Sequence, residues 1–160
     1  MLQIYLMRRT AFFSGVFILV FFLPAFAGAR SIAEARGEVV SATMRYLNVP
    51  YLWGGMHPAT GMDCSAFVKL VYGGAHLDLP RVARDQYAAG LYLKPSGVLP
   101  GDLLFFSMKK PGAAKPDHVG IYVGKGYFVH AGVSTGVHID SVSNPYFYSR
   151  LISARKYRGF

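Results

Sequence analysis

Residues 118–132 read HVGIYVGKGYFVHAG, and this stretch constrains the fold more than any other part of the chain. Two runs rich in β-branched and aromatic residues, Val119–Val123 and Tyr127–Ala131, flank Gly124-Lys125-Gly126. That pattern predicts a β-hairpin closed by a short glycine-bearing turn. A three-residue turn pairs Val123 with Tyr127 and Ile121 with Val129. Val119, Ile121, Val123, Tyr127, Val129 and Ala131 then share one apolar face, because side chains alternate along a strand. His118, Gly120, Tyr122, Phe128, His130 and Gly132 fall on the other. His118 and His130 become diagonal neighbours on adjacent strands, with Gly120 leaving room between them. A one-residue change in turn length would undo this arrangement.

Upstream the periodicity is helical. Ser31 and Glu34 have capping-box spacing. Ile32, Ala35, Val39, Val40, Met44 and Leu47 follow at a helical period, and Pro50 closes the segment. Tyr51 to Gly61 is a loop punctuated by glycine and proline. Cys64 to Tyr72 predicts a second helix stopped by Gly73-Gly74, and Arg81 to Ala89 a short third one. A turn at 99–102 leads into a buried strand, Leu103–Phe106; Val137–Ile139 and Leu151–Tyr157 predict later strands. Lys109 to Pro116 is a basic loop rich in proline and glycine. Helices first and hairpin-connected strands last imply an α+β fold with an antiparallel sheet. The 160 residues suit a single domain, and 52% hydrophobic against 16% charged residues excludes a disordered or coiled-coil chain. One cysteine excludes an internal disulfide and the spacings of zinc fingers and iron–sulfur sites.

Residues 1–27 have the layout of a secretory signal peptide. Arg8 and Arg9 precede the apolar run Ala11–Leu23, then come Pro24 and small-residue sites that place cleavage after Ala27 or Ala29. The apolar run is shorter than the roughly 20 residues a membrane-spanning helix needs. The expectation is export to the periplasm or an extracellular cell wall, with no stable membrane anchor after cleavage. Residues 30–160 would then form the single mature domain. The leader carries two arginines and no acid, so its removal lowers the formal charge from +9 to +7. A basic exported protein is attracted to polyanions. The positive residues are scattered rather than arranged in a stripe, which argues against nucleic acid.

Cys64 carries the candidate chemistry. It follows a glycine-rich loop and Asp63 at the predicted start of a helix, where free N–H groups and the helix dipole favour a thiolate and lower the cysteine pKa. A free thiol is also an oxidation liability outside the cytoplasm. A thiol nucleophile needs a base, and His118 with His130 beside it offers a base plus an orienting group. A zinc site built from Cys64, His118 and His130 is the rival use of these side chains. No CxxC or HExxH spacing supports it, so no metal and no cofactor are expected.

Five blocks occur in order: Tyr51-Leu-Trp53-Gly54-Gly55, Gly61-Met-Asp63-Cys64-Ser65-Ala-Phe67-Val68, Pro100-Gly101-Asp102-Leu-Leu-Phe105-Phe106, His118-Val-Gly120-Ile-Tyr122-Val-Gly124 and His130-Ala131. Together they resemble the NlpC family of cell-wall cysteine peptidases over residues 31–157. The resemblance implies a papain-like fold in which the nucleophile helix packs on the antiparallel sheet. It implies that Cys64 attacks, that His118 is general base and then acid, and that His130 orients His118. Tyr51 would lie near the thiol and help the Cys64 backbone N–H hold an oxyanion. Asp63 and Ser65 match positions that receive the free α-amine of a stem peptide, and Asp63 also suits a helix N-cap. Arg81 is either a partner for a substrate carboxylate or a structural ion pair. Trp53 and the Pro100-Gly101-Asp102 turn are expected to be architectural. Ala66 departs from the glycine usual after the serine, and His57 reads as an exposed loop residue.

The implied activity is hydrolysis of peptidoglycan stem peptides through an acyl-enzyme on Cys64, between γ-D-glutamyl and diaminopimelate or lysine. The alternatives are a non-catalytic wall-binding or partner-binding module on the same fold, and an antibacterial wall-degrading toxin. Oligomeric state is not legible in the sequence.

Overall fold

The computed structural model describes residues 31–157. The expected leader and its cleavage positions, Ala27 and Ala29, lie outside the described residues. No helix among the described residues is long and apolar enough to cross a membrane.

Helix α1 (Ile32–Met44) opens with the expected capping box, Ser31 and Glu34 each bonding the other's backbone N–H. Its buried stripe is Ala35, Val39, Ala42 and Thr43, while Ile32 and Met44 are exposed. The stripe is narrower than the apolar periodicity because α1 packs chiefly against the second helix and one central strand. A small two-stranded ribbon, β1 (Met56–His57) and β2 (Gly61–Met62), precedes helix α2 (Cys64–Gly74). Asp63 caps α2 by accepting from the Ala66 N–H at 2.8 Å. The helix runs through Gly73-Gly74 instead of stopping there. Neither glycine faces anything a side chain would meet, and the left-handed turn falls later, on His76 with φ +60°. Helix α3 (Ala83–Ala89) begins two residues after the expected start.

Strands β3 (Leu91–Leu93), β4 (Leu103–Phe106), β5 (His118–Gly124), β6 (Tyr127–Gly132), β7 (Gly136–Ser141) and β8 (Leu151–Lys156) form one antiparallel sheet in the order β3-β8-β4-β5-β6-β7. A short helix, α4 (Pro145–Tyr148), sits between β7 and β8. The hairpin register is the expected one where it matters, with Ile121 opposite Val129 and Tyr122 opposite Phe128. At the turn end Gly124, not Val123, pairs with Tyr127, so Val123 forms a bulge.

The sheet separates two cores. On the face toward α2, Val119, Ile121, Val129 and Ala131 pack with Phe67, Val68, Val71 and Leu103. On the other face Leu104, Phe106, Phe128, Phe147 and Ala154 make a second, smaller cluster. The α+β expectation, a nucleophile helix on an antiparallel sheet, is therefore what the chain forms. Asp102 is buried in its turn, accepting from the Leu99 N–H at 2.7 Å and pairing with Arg36 of α1 at 2.9 Å. That ties α1 to the start of β4 and accounts for the turn as architecture.

Candidate active site

Cys64 is the first residue of α2, and its thiol meets the backbone N–H of Val119, the residue after His118. The sulfur thus lies one peptide unit from the residue bearing the first imidazole. His118 and His130 reach each other as the register requires, His118 Nε2 to His130 Nδ1 at 2.8 Å with the rings edge-on. Gly120 is what permits this. A Cβ there would sit 2.7 Å from Phe128, 2.9 Å from the Val129 carbonyl and 3.1 Å from His130 Cβ.

The contact set extends past the two expected histidines. His130 Nε2 lies 2.9 Å from Asp140 Oδ2, and His138 Nε2 lies 2.6 Å from the same oxygen. Neither Asp140 nor His138 was singled out from the sequence. The signal was the same alternation that exposed the first hairpin. Strands β6 and β7 pair with His130 opposite His138 and Phe128 opposite Asp140. A turn at 133–135 would have put both on the face of His130.

This arrangement fixes the tautomers. An ionised carboxylate only accepts, so His130 donates its Nε2–H to Asp140. Neutral His130 then offers a bare Nδ1, and His118 must donate its Nε2–H to it. The lone pair of His118 is left on Nδ1. A carboxylate on β7 thereby sets which nitrogen of a ring on β5 can act as a base.

Burial decides the charges. It pushes the Cys64 thiol up to about 12, helped by the Asp63 charge; the N–H groups of Val119, Ser65 and Cys64 pull the other way without winning. The expected lowering of this pKa is corrected accordingly. The helix terminus is present, but Cys64 is 7% exposed within the main core, and desolvation of a thiolate outweighs the dipole. Burial, then His130 and His138, hold His118 down at about 3. Burial lowers His130 to about 4 although Asp140 pulls upward. The resting pair is therefore a thiol and a neutral imidazole.

The remaining expected residues gather at the same end of α2. Burial raises the Tyr51 hydroxyl, and the Cys64 and Asp63 charges raise it further, so this phenol lies within electrostatic reach of the thiol. Arg81 clamps Asp63 with its two terminal nitrogens at 2.9 and 2.7 Å and reaches Ser65 Oγ at 3.1 Å. Ser65 Oγ in turn donates to Asp63 Oδ1 at 3.0 Å. Burial pushes the Asp63 carboxyl up, but the bonds from Arg81, Ala66 and Ser65 outweigh it and hold it below its ordinary value. Of the two readings of Arg81, the structure shows the ion pair, with Asp63. Trp53 is 83% exposed and lies outside both cores. His57 is exposed, as its loop position suggested. Ala66 is the third helical residue and buried.

A family model described as the NlpC/P60 family matches residues 48–156. Among curated proteins, the chain is 35% identical over 156 residues to "Gamma-DL-glutamyl hydrolase" of Bacillus subtilis (strain 168), covering 94% of this chain and 35% of that one. It is 34% identical over 130 residues to "Murein DD-endopeptidase MepH" of Escherichia coli (strain K12), covering 78% and 47%. The chain thus spans a third to a half of these relatives' length. Among solved structures, an NLP/P60 family protein similar to a lipoprotein, from Staphylococcus aureus subsp. aureus Mu50, superposes with a TM-score of 0.70 at 32% identity, over 84% of this chain and 45% of that one. The NlpC/p60 domain of peptidoglycan hydrolase SagA superposes with a TM-score of 0.62 at 30% identity, over 76% and 97%.

Proposed function

This chain belongs to the NlpC/P60 family, and we propose that it is a cysteine endopeptidase that hydrolyses peptidoglycan stem peptides through an acyl-enzyme on Cys64. The observation that carries the reading is the linked set His118, His130 and Asp140, which leaves a base lone pair on the ring of the residue next to Val119, whose N–H meets the thiol. Relatives named as a γ-DL-glutamyl hydrolase and a murein endopeptidase support the substrate class.

The reaction follows from the tautomers. As Cys64 Sγ bonds to the scissile carbonyl carbon, its proton passes to Nδ1 of His118. The charge that appears on that ring is balanced through His130 by Asp140. The carbonyl oxygen becomes an oxyanion, held by the Cys64 N–H and the Tyr51 hydroxyl. His118 then gives its proton to the departing amine as the C–N bond breaks, leaving a thioester. Water attacks the thioester, His118 takes its proton, and the carboxylate product leaves with the thiol restored. Since the resting pair is neutral, the proton moves as the S–C bond forms, and the charges that appear are those of the imidazolium and the oxyanion.

Asp63, Ser65 and Arg81 make the subsite for the stem peptide's free amine, which would share the Asp63 carboxylate with the guanidinium. The bond between γ-D-glutamyl and diaminopimelate or lysine is the proposed point of cleavage. Residues 1–27 are proposed to export the protein to the periplasm or cell wall.

Purified protein incubated with muropeptides should release fragments whose masses report the bond cut. Cys64→Ala should release none. Equal turnover by Cys64→Ala, or none by the wild type, sinks the mechanism. An intact Met1 on the exported protein, read by mass spectrometry, sinks the leader.

A further inference from the structure

We propose that His130, His138 and Asp140 form a binding site for a zinc-class divalent cation, and that its occupation switches the His118 base off. The switch rests on the function proposed above; the site itself stands on geometry alone. One ligand-capable atom from each of the three side chains lies within 4.8 Å of the other two. Two ring nitrogens converge on a single carboxylate oxygen, at 2.9 and 2.6 Å. Zinc bonds of about 2.0–2.1 Å place tetrahedral ligand atoms roughly 3.3 Å apart, so the two nitrogen–oxygen distances need open by only about half an ångström. Pairing between β6 and β7 sets the two histidines directly opposite each other, with the aspartate two residues along the same face.

The outer partners are also those of a ligand set. His138 Nδ1 lies 3.2 Å from the Gly136 carbonyl and 2.8 Å from Thr135 Oγ1. His138 donates its Nε2–H to Asp140; moving that proton to Nδ1, where the Gly136 carbonyl can accept it, frees Nε2 for a metal. A ligating histidine is commonly oriented in this way. The far nitrogen of His130 is likewise held, by His118. Side-chain exposures of 28% for His138 and 22% for Asp140, against 3% for His130, give an ion its approach from the β7 side. Two imidazoles with one carboxylate select zinc-like ions over magnesium or calcium, which prefer oxygen.

Occupation would reverse the tautomers. A metal on Nε2 of His130 leaves that ring's one proton on Nδ1. Two N–H groups cannot face each other across the bond to His118, so His118 becomes the acceptor there and carries its proton on Nδ1. That is the nitrogen the thiol must find bare. Each of these two rings keeps one proton; only the nitrogen that bears it changes.

Zinc chloride titrated calorimetrically into the purified chain tests the site without any need for turnover. We expect one ion per chain, affinity reduced at least tenfold by His138→Gln and by Asp140→Asn, retained binding in Cys64→Ala, and no response to magnesium. Circular dichroism checks that each variant is folded. Binding that survives both substitutions, or that vanishes only in Cys64→Ala, overturns the site. Muropeptide cleavage by each protein, relative to its own metal-free rate, should fall at least tenfold in wild type at saturating zinc and recover with EDTA. A wild-type rate unmoved at full occupancy overturns the switch. Absence of cleavage before zinc is added counts against the proposed function and leaves the calorimetric result standing.

Discussion

At the scale of single residues, Asp140 has the largest leverage for its distance from the sulfur. It touches neither thiol nor substrate, yet its charge decides which nitrogen of His118 is bare. Asp140→Asn keeps the shape and loses both the charge and the obligation to accept. We expect kcat to fall by about tenfold or more with KM little changed, as for other histidine-orienting carboxylates. Steady-state kinetics on a defined stem peptide, with a melting curve as control, would settle it, and a wild-type kcat would refute the relay. Asp63 offers a second test, through pH. Its folded pKa is depressed, so its contribution to stability is present above the unfolded value of about 3.9 and is lost as pH falls through the folded one. Asp63→Asn retains a capping oxygen but removes the titration. Unfolding midpoints against pH should lose part of their acid slope below about pH 4 in that variant, while wild type keeps it. Identical slopes would show that the Arg81 pair contributes nothing.

At the scale of elements, the β5–β6 hairpin was legible because alternation and turn glycines are local signals. His118 and His130 came with it. Strand β3 was not legible, since Leu91–Leu93 is defined by its partner β8, some 60 residues on. Asp140 was hidden for a related reason: Val137–Ile139 reads as a strand, but its register depends on a turn without a strong signal. The Cys64 pKa was misjudged because a helix start is visible in sequence and burial is not. The hairpin's weak point is Gly120. Gly120→Ala drives a methyl into the Val129 carbonyl and Phe128, neither of which is a flexible chain end. A loss of about 1–3 kcal/mol is expected by urea denaturation, along with reduced turnover as His130 is displaced. An unchanged midpoint would show that the strands separate freely.

At the scale of the whole molecule, the sheet has a different task on each face. The larger core holds α2, and therefore Cys64, in place. The smaller one holds the imidazoles: Phe128 stacks on His130 at 4.9 Å, and Phe147 of α4 meets the same ring edge-on at 5.2 Å. Sulfur and base are thus positioned by separate cores, and damage to each should read out differently. Leu103→Ala empties a fully buried site in the larger core and should cost about 2–5 kcal/mol; Phe147→Ala should cost about 3–5 kcal/mol. Below both melting temperatures, the folded fraction of Leu103→Ala should keep near-normal kcat, because Leu103 is on β4, whereas the Cys64 helix packs chiefly on β5 and β6 and the His118–His130–Asp140 chain does not rest on that side chain. Phe147→Ala should lose kcat even where it is fully folded, because His130 loses one wall of its seat. Turnover measured alongside circular dichroism separates the two effects. Equal kcat losses at equal folded fraction would mean that the two faces do not act independently.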